Sequence, residues 1–365
     1  MLATVAIVAA TLFLAYANGA NDNFKGVATL YGSGAMSYRH ALIWATITTL
    51  AGSLGAILLA GHLVHLFSGK VLVPDALTRS PAFLGAVAFG AGGAVMLAAR
   101  LGIPISTTHA LIGGLSGAGL VGAFDQFNAA HLGHSFLYPL AVAPLIPALL
   151  IGLVYPVVRA VVLAALGRGP LAGWRAPLPV AQAALPFAIP IDDTPSLHVP
   201  DTAQAASQRV ALITKIMAGL HILSAGAIGF ARGLNDAPKI VAIIMVAGIF
   251  SLHANLVAIA LAMAAGGLWR ARPIGETMAR KITPLGPGQG TLANVITSLL
   301  VLFASNFGVP VSTTHVSVGA LFGVGITQRA LNWPMLGGIV SAWVITLPAA
   351  MAGSALCYLA LSHYL

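Results

Sequence analysis

An α-helix of about 20 apolar residues crosses a lipid bilayer, and this chain carries one such stretch after another. They lie at 40–67, 81–99, 137–166, 210–231, 248–269, 291–307 and 335–361, after an apolar start at 1–17. None alternates in the way of a barrel strand. Only 7% of the 365 residues are charged and the mean hydropathy is +0.94, against about 25% charged in an ordinary soluble domain. The pattern predicts an all-α polytopic membrane protein of about eight to twelve helices, broken ones included.

The apolar start ends in Ala15-Tyr16-Ala17, which has the look of a cleavage site. No basic segment precedes it, and cleavage would discard a helix that runs directly into a polar motif, so it is expected to be a retained first helix. The formal charge of +9 does not imply nucleic acid. Arg168, Arg175, Arg270, Arg272, Arg280 and Lys281 fall between the apolar stretches, as cytoplasmic loops of membrane proteins require. Cys357 is the lone cysteine; it can form no internal disulfide and is expected to be simple packing.

The chain states its polar content twice. "YANGANDNFKGVA" (16–28) aligns with "FARGLNDAPKIVA" (230–242) at an offset of 214, and "GIPISTTHALIGGLSGAGL" (102–120) aligns with "GVPVSTTHVSVGALFGVGI" (308–326) at an offset of 206. The two motifs recur in the same order, which predicts a duplicated membrane unit: a first repeat at 1–166, a polar, proline-rich linker at 167–208 and a second repeat at 209–365. The linker carries Asp192, Asp193 and Asp201 and is given no chemistry, beyond a cap for a short helix at Asp193–Ser196.

An aspartate in hydrocarbon is costly and ordinarily faces a cavity with a partner close by. Asp22 and Asp236 are the acids of the first motif and its copy. Glycine and asparagine around each disfavour continuous helix, and Pro238 removes a backbone donor. Each run therefore reads as a broken membrane helix, tolerated where freed backbone groups line a cavity.

"PISTTH" and "PVSTTH" carry the signals of a helix start. The short glycine-rich run after each reads as one arm of a re-entrant hairpin. The open N–H groups of such a first turn form an anion site, to which Ser106, Thr107, Ser312 and Thr313 would add hydroxyl donors. Two half-helix ends from opposite repeats would close around a small oxyanion. The sequence admits parallel or inverted repeats, and inverted is favoured.

These paired motifs resemble the signatures of the inorganic phosphate transporter (PiT) family of ion-coupled permeases, and the resemblance covers both repeats but not the linker. It implies an inverted-repeat transporter moving phosphate with sodium ions or protons, the anion being surrounded by Asp22, Ser106, Thr107, Asp236, Ser312 and Thr313. Asn21 and Asn235 would orient the carboxylates or coordinate a cation. The commonest family pattern resembles N-D-V-A-N, with a second asparagine where this chain has Lys25 and Lys239.

Two lysines and two aspartates sum to zero, so phosphate would meet a neutral site without sodium. Proton coupling is therefore expected, with an aspartate or phosphate itself as carrier. The alternative is that each lysine snorkels outward and leaves cation sites intact.

Thr108, Thr314, His109 and His315 are expected to orient neighbouring groups or to take part in coupling. A Ser-His-Asp hydrolase is disfavoured because the motif is present in two symmetric copies; the chain is not expected to be an enzyme. His62 with His65, and His131 with His134, have helical spacing but no carboxylate or cysteine to complete a metal set. No cofactor or metal is expected, the coupling ion being H+ or Na+.

Arg232 takes the place of Asn18 in the second motif, to draw anions or to pair with an acid. The glycines of "FGAGG" (89–93) fit close helix packing. Sulfate remains the competing substrate; phosphate keeps a proton for a carboxylate to accept, which favours phosphate. An anion channel would need a wide basic pore instead. Expected partners are inorganic phosphate and the lipid of a cell (inner) membrane, with a second copy of the chain as a candidate.

Overall fold

The computed structural model describes residues 2–58, 61–166 and 201–363. Among them every regular element is helical, and eight helices are long and apolar enough to cross a membrane. The main elements are α1 (Leu2–Asp22), α2 (Tyr38–Gly55), α3 (Pro81–Leu101), α4 (Thr107–Gly122), α5 (Leu145–Leu166), α6 (Asp201–Val246), α7 (Leu252–Arg270), α8 (Arg272–Arg280), α9 (Pro287–Asn306), α10 (Thr313–Gln328) and α11 (Trp333–Leu361).

The same local chemistry sets matching boundaries. Ser37 caps α2 by accepting from the His40 N–H, and Ser251 caps α7 by accepting from the Ala254 N–H. Gly102 after α3 and Gly308 after α9 both take the left-handed conformation, with φ of 68° and 67°. A side chain is strained there and glycine is not.

Small residues bring the helices to backbone contact. On α1, Gly19 lies against the backbone of Met263 in α7, and Gly266 of α7 lies against Tyr16 of α1. The α2–α6 crossing repeats this arrangement at the 214-residue offset, with Gly233 against Thr49 and Gly52 against Phe230. On α4, Gly113 and Gly117 admit Leu347 and Met351 of α11, while Gly319 and Gly323 of α10 admit Pro144 and Ala148 near α5. Small residues at membrane helix crossings let dispersion contacts form at close range. The glycines of the 89–93 run serve the same purpose, Gly90 against Ser354 and Gly92 against Phe13 and Leu14.

The outward faces of α5 and α11 expose Leu149, Leu153, Val157, Val344 and Ile345. A surface of that kind belongs in hydrocarbon, where lipid tails cover it.

Three expectations need correction or relocation. The first polar run does break its helix: α1 stops at Asp22, a 3-10 turn spans Asn23–Val27, and a short helix follows at Ala28–Gly32. The second run does not, because α6 continues through Pro238 to Val246. Proline costs that helix one backbone bond, and Gly233 serves a close crossing instead of a break. Residues 201–208, expected in the linker, begin α6; the cap at Asp193–Ser196 lies outside the described residues. Arg272 and Arg280 lie in α8 rather than a loop, with Arg280 stacked 4.5 Å over the Tyr31 ring.

Candidate functional site

The polar motifs converge where the end of α1 and the middle of α6 meet the first turns of α4 and α10. Both STTH motifs start helices. Ser106 and Ser312 are the caps, with φ/ψ of −95°/114° and −97°/116°, and their hydroxyls accept from the backbone N–H of His109 and His315 at 3.1 and 3.2 Å. Thr107, Thr108, Thr313 and Thr314 therefore occupy the first turn, where backbone N–H groups have no helical partner.

Asp22 is enclosed by donors. Its Oδ2 accepts from Asn18 at 2.9 Å and from Thr107 at 2.8 Å; its Oδ1 accepts from Asn21 at 3.0 Å, from Thr314 at 3.2 Å and from the Lys25 ammonium. Lys25 also donates to the Ile105 carbonyl at 2.8 Å and to Thr314 Oγ1 at 2.7 Å. Asn21 reaches the same carbonyl at 2.8 Å.

The second half repeats this wiring. Lys239 pairs with Asp236 at 3.5 Å and donates to the Val311 carbonyl at 2.7 Å and to Thr108 Oγ1 at 2.9 Å. Asn235 donates to Asp236 at 3.0 Å and to Val311 at 3.4 Å, and accepts from Ser305 at 3.1 Å. Each lysine thus binds the carbonyl just before its own repeat's helix start and a threonine of the other repeat.

Both lysines are buried, 3% and 1% exposed, and turned inward. The snorkelling alternative is thereby excluded. An ammonium in such a place is retained by ion pairing and by full use of its donors, which both lysines achieve.

Asn18 was not among the expected site residues, yet it joins the halves by donating to Asp22, Thr107 and, at 3.4 Å, to Asp236. The signal was its place one helical turn before Asp22. The Ile105 and Val311 carbonyls carry no sequence signal, since their role is set by the turn that follows.

The imidazole centroids of His109 and His315 lie 4.6 Å apart with the rings tilted by 45°, and the Trp343 ring of α11 lies 4.0 Å from that of His315 while its indole N–H donates to the Pro104 carbonyl at 3.2 Å. These histidines sit behind the helix starts, not among the carboxylates, and both line a cavity with Leu140, Pro144 and Val344. His315 Nδ1 lies 3.1 Å from the Leu140 carbonyl.

A second polar group adjoins Lys25. Thr29 and Asn294 exchange hydrogen bonds of 3.1 and 2.9 Å, His221 lies 3.1 Å from Thr29, and Asn294 reaches Ser224 at 3.3 Å. A small cavity lined by Lys25, Thr29, Asn294, Thr297 and Ser317 connects this group with the site.

Chemically the site offers fixed positive charge, two helix N-termini and hydroxyls, which suits a small oxyanion.

Comparison with known proteins agrees with that chemistry. A sequence model of the "Phosphate transporter family" matches residues 18–354. The "Probable low-affinity inorganic phosphate transporter" of Rhizobium meliloti (strain 1021) is 32% identical over 373 residues, covering 98% of this chain and 96% of that one. The "Inorganic phosphate transporter 2-1, chloroplastic" of Arabidopsis thaliana is 27% identical, covering 92% of this chain and 68% of its own length. A solved structure titled "The sodium-dependent phosphate transporter" superposes over 100% of both chains with a TM-score of 0.79 at 21% identity, a likeness of fold. Phosphate is the transported substrate of the family, whose members are membrane transport proteins rather than enzymes. Matched along nearly its whole length, this multi-pass membrane chain belongs to the phosphate transporter family.

Proposed function

We propose that the protein is a secondary active symporter of a cell inner membrane that carries inorganic phosphate together with protons. The anion is held between the first turns of α4 and α10 by Ser106, Thr107, Ser312 and Thr313, beside Asp22 and Asp236. The observation that carries this reading is the inward placement of Lys25 and Lys239, each paired with its aspartate. The carboxylates already have fixed counterions, so phosphate does not need sodium to balance them.

Two halves, 1–166 and 209–365, joined by the linker at 167–208, would surround the site as inverted repeats. Taken as re-entrant pairs, α3–α4 and α9–α10 would leave three net crossings in each half. An odd number sets the halves in opposite orientation, the arrangement of many transporters with a central site.

Sodium coupling is the second reading, favoured by the Asn18 and Asn21 Oδ1 atoms, which are buried without a donor among the described residues and are oxygens of the kind a hard cation takes. The deciding test is uptake of labelled phosphate into proteoliposomes with an imposed pH gradient, with sodium absent and excess sulfate present. Uptake driven by the gradient and indifferent to sulfate is expected. Uptake that needs sodium at fixed pH overturns proton coupling, and abolition by sulfate overturns phosphate as the substrate.

A further inference from the structure

The two halves differ at one position that matters for charge. Asn18 of α1 is answered on α6 by Arg232, one turn before Asp236. The Asn18 amide nitrogen donates to Asp22, Thr107 and Asp236, whereas Arg232 donates to no hydrogen-bond partner among the described residues. Its side chain is 1% exposed, and Nε, Nη1 and Nη2 have no hydrogen-bond partner among the described residues. It lies within electrostatic reach of Asp22, Asp236 and, repulsively, Lys25. Its Nη2 lies against the 3-10 turn that breaks the first helix, 3.0 Å from where a Cβ on Gly26 would stand. The broken turn and its glycine give the guanidinium its room.

A buried charge with no hydrogen bond costs several kcal/mol, and what offsets it here is the attraction of Asp22 and Asp236, both already paired with lysines. The formal charges make the same point. Asp22 and Asp236 are balanced by Lys25 and Lys239, and Arg232 leaves one positive charge over. On the other side of the symmetry, Thr107 is bound by Asn18 and Asp22. Its counterpart Thr313 makes no side-chain hydrogen bond among the described residues, although it is 4% exposed. Within the matched pairs Asn18 with Arg232 and Thr107 with Thr313, the donors left idle, one guanidinium and one hydroxyl, belong to the second half.

We propose that Arg232 is the fixed charge that binds the transported oxyanion, so that the anion sits asymmetrically, toward the second repeat, and restores neutrality to the site. This rests on the reading of the site as an oxyanion site. A planar guanidinium presents paired N–H groups that match two oxygens of a tetrahedral anion. An ammonium keeps the charge without the fork.

The test uses purified full-length chain, wild type and the variants Arg232→Lys and Arg232→Asn, the second reproducing the residue of the first repeat. Thermal unfolding in detergent is followed with and without inorganic phosphate, and phosphate uptake is measured in proteoliposomes. Without phosphate, Arg232→Asn is expected to unfold at the wild-type temperature or above it, since an unpartnered buried charge has been removed. Phosphate raises the unfolding temperature of wild type and not of Arg232→Asn. The KM for phosphate rises about 10- to 100-fold in Arg232→Asn, the range of a lost charge-assisted hydrogen bond, and less in Arg232→Lys.

An Arg232→Asn chain that is unstable without phosphate, or fails to fold, overturns the proposal in favour of a structural arginine. So does a variant with unchanged KM, and in that case phosphate transport itself still stands. If wild type ignores phosphate while sulfate stabilises it through Arg232, the phosphate reading fails and the anion role of Arg232 holds.

Discussion

The crossing of α1 and α7 tests whether backbone contact positions the site. A methyl group on Gly19 would stand 1.8 Å from the Met263 carbonyl oxygen, and one on Gly266 would stand 1.9 Å from the Tyr16 carbonyl oxygen. Ordinary contact begins at 3.4 Å, so either methyl forces the helices apart by about 1.5 Å, and a backbone oxygen cannot rotate away. Overpacking of this kind costs about 1–3 kcal/mol, and the upper end applies here. Once the helices have parted for one methyl, the other has its room. The double variant Gly19→Ala with Gly266→Ala is therefore expected to lose little more than either single one, a coupling of about 2–3 kcal/mol. Gly19→Ala with Gly233→Ala loads two separate crossings and should lose the sum. Gly93→Ala, which has nothing within 4 Å of the added carbon, serves as control and should gain up to about 1 kcal/mol from helix propensity. Reversible unfolding in mixed micelles reads these variants together with the single Gly233→Ala. Additive losses for Gly19 and Gly266, or a Gly19→Ala chain as stable as Gly93→Ala, would refute the argument. Uptake should fall with stability at the first crossing, because Asp22 lies on the same helix within one turn of Gly19.

Three further outcomes follow from the site. Lys25→Asn combined with Lys239→Asn removes both fixed cations; phosphate uptake in that variant is expected to require sodium, and sodium-independent uptake would count against the lysines as built-in counterions. Ser106→Ala and Ser312→Ala remove equivalent caps and should each cost about 1 kcal/mol in unfolding experiments; a large difference between them would contradict the matched cap geometry. Asp22→Asn leaves the Lys25 ammonium without its carboxylate, which should cost about 3–5 kcal/mol and abolish uptake, whereas Asp22→Glu, keeping the charge, should retain part of the stability.

Much of the arrangement was legible in the chain because it is written twice. The offsets of 214 and 206 residues identified the motif copies, and in the structure the same offset exchanges one glycine crossing for the other. The helix starts at Ser106 and Ser312 were readable from a capping hydroxyl, a local cue. What local cues could not supply was the fate of Pro238 and the direction of Lys25 and Lys239. Proline weakens a helix by one bond, and whether the helix breaks depends on what packs around it, here α2 against Gly233. A lysine in a membrane can reach outward to water or inward to a carboxylate; the choice is made by Ile105, Val311 and the threonines of the opposite repeat, all distant in sequence. Asn18 was passed over because its partners, Thr107 and Asp236, come from two other segments.

The crosswise bonds bear on how such a site opens. Lys25 ties the Ile105 carbonyl of the first repeat to Thr314 of the second, and Lys239 ties Val311 of the second to Thr108 of the first. Movement of α10 away from the 3-10 turn after α1 must break the Lys25–Thr314 bond, and movement of α4 away from α6 must break the Lys239–Thr108 bond. The ion pairs, each within one motif, survive either movement. A symmetric pair of latches, each carried by a lysine that keeps its own aspartate, therefore allows one arm to open while the other stays closed. Thr314→Val and Thr108→Val each remove one latch and leave both charges paired. If the latches act separately, each variant should speed substrate exchange on one side of the membrane only, and the two variants should favour opposite sides. Equal acceleration on both sides in either variant would show that the two threonines act as one unit.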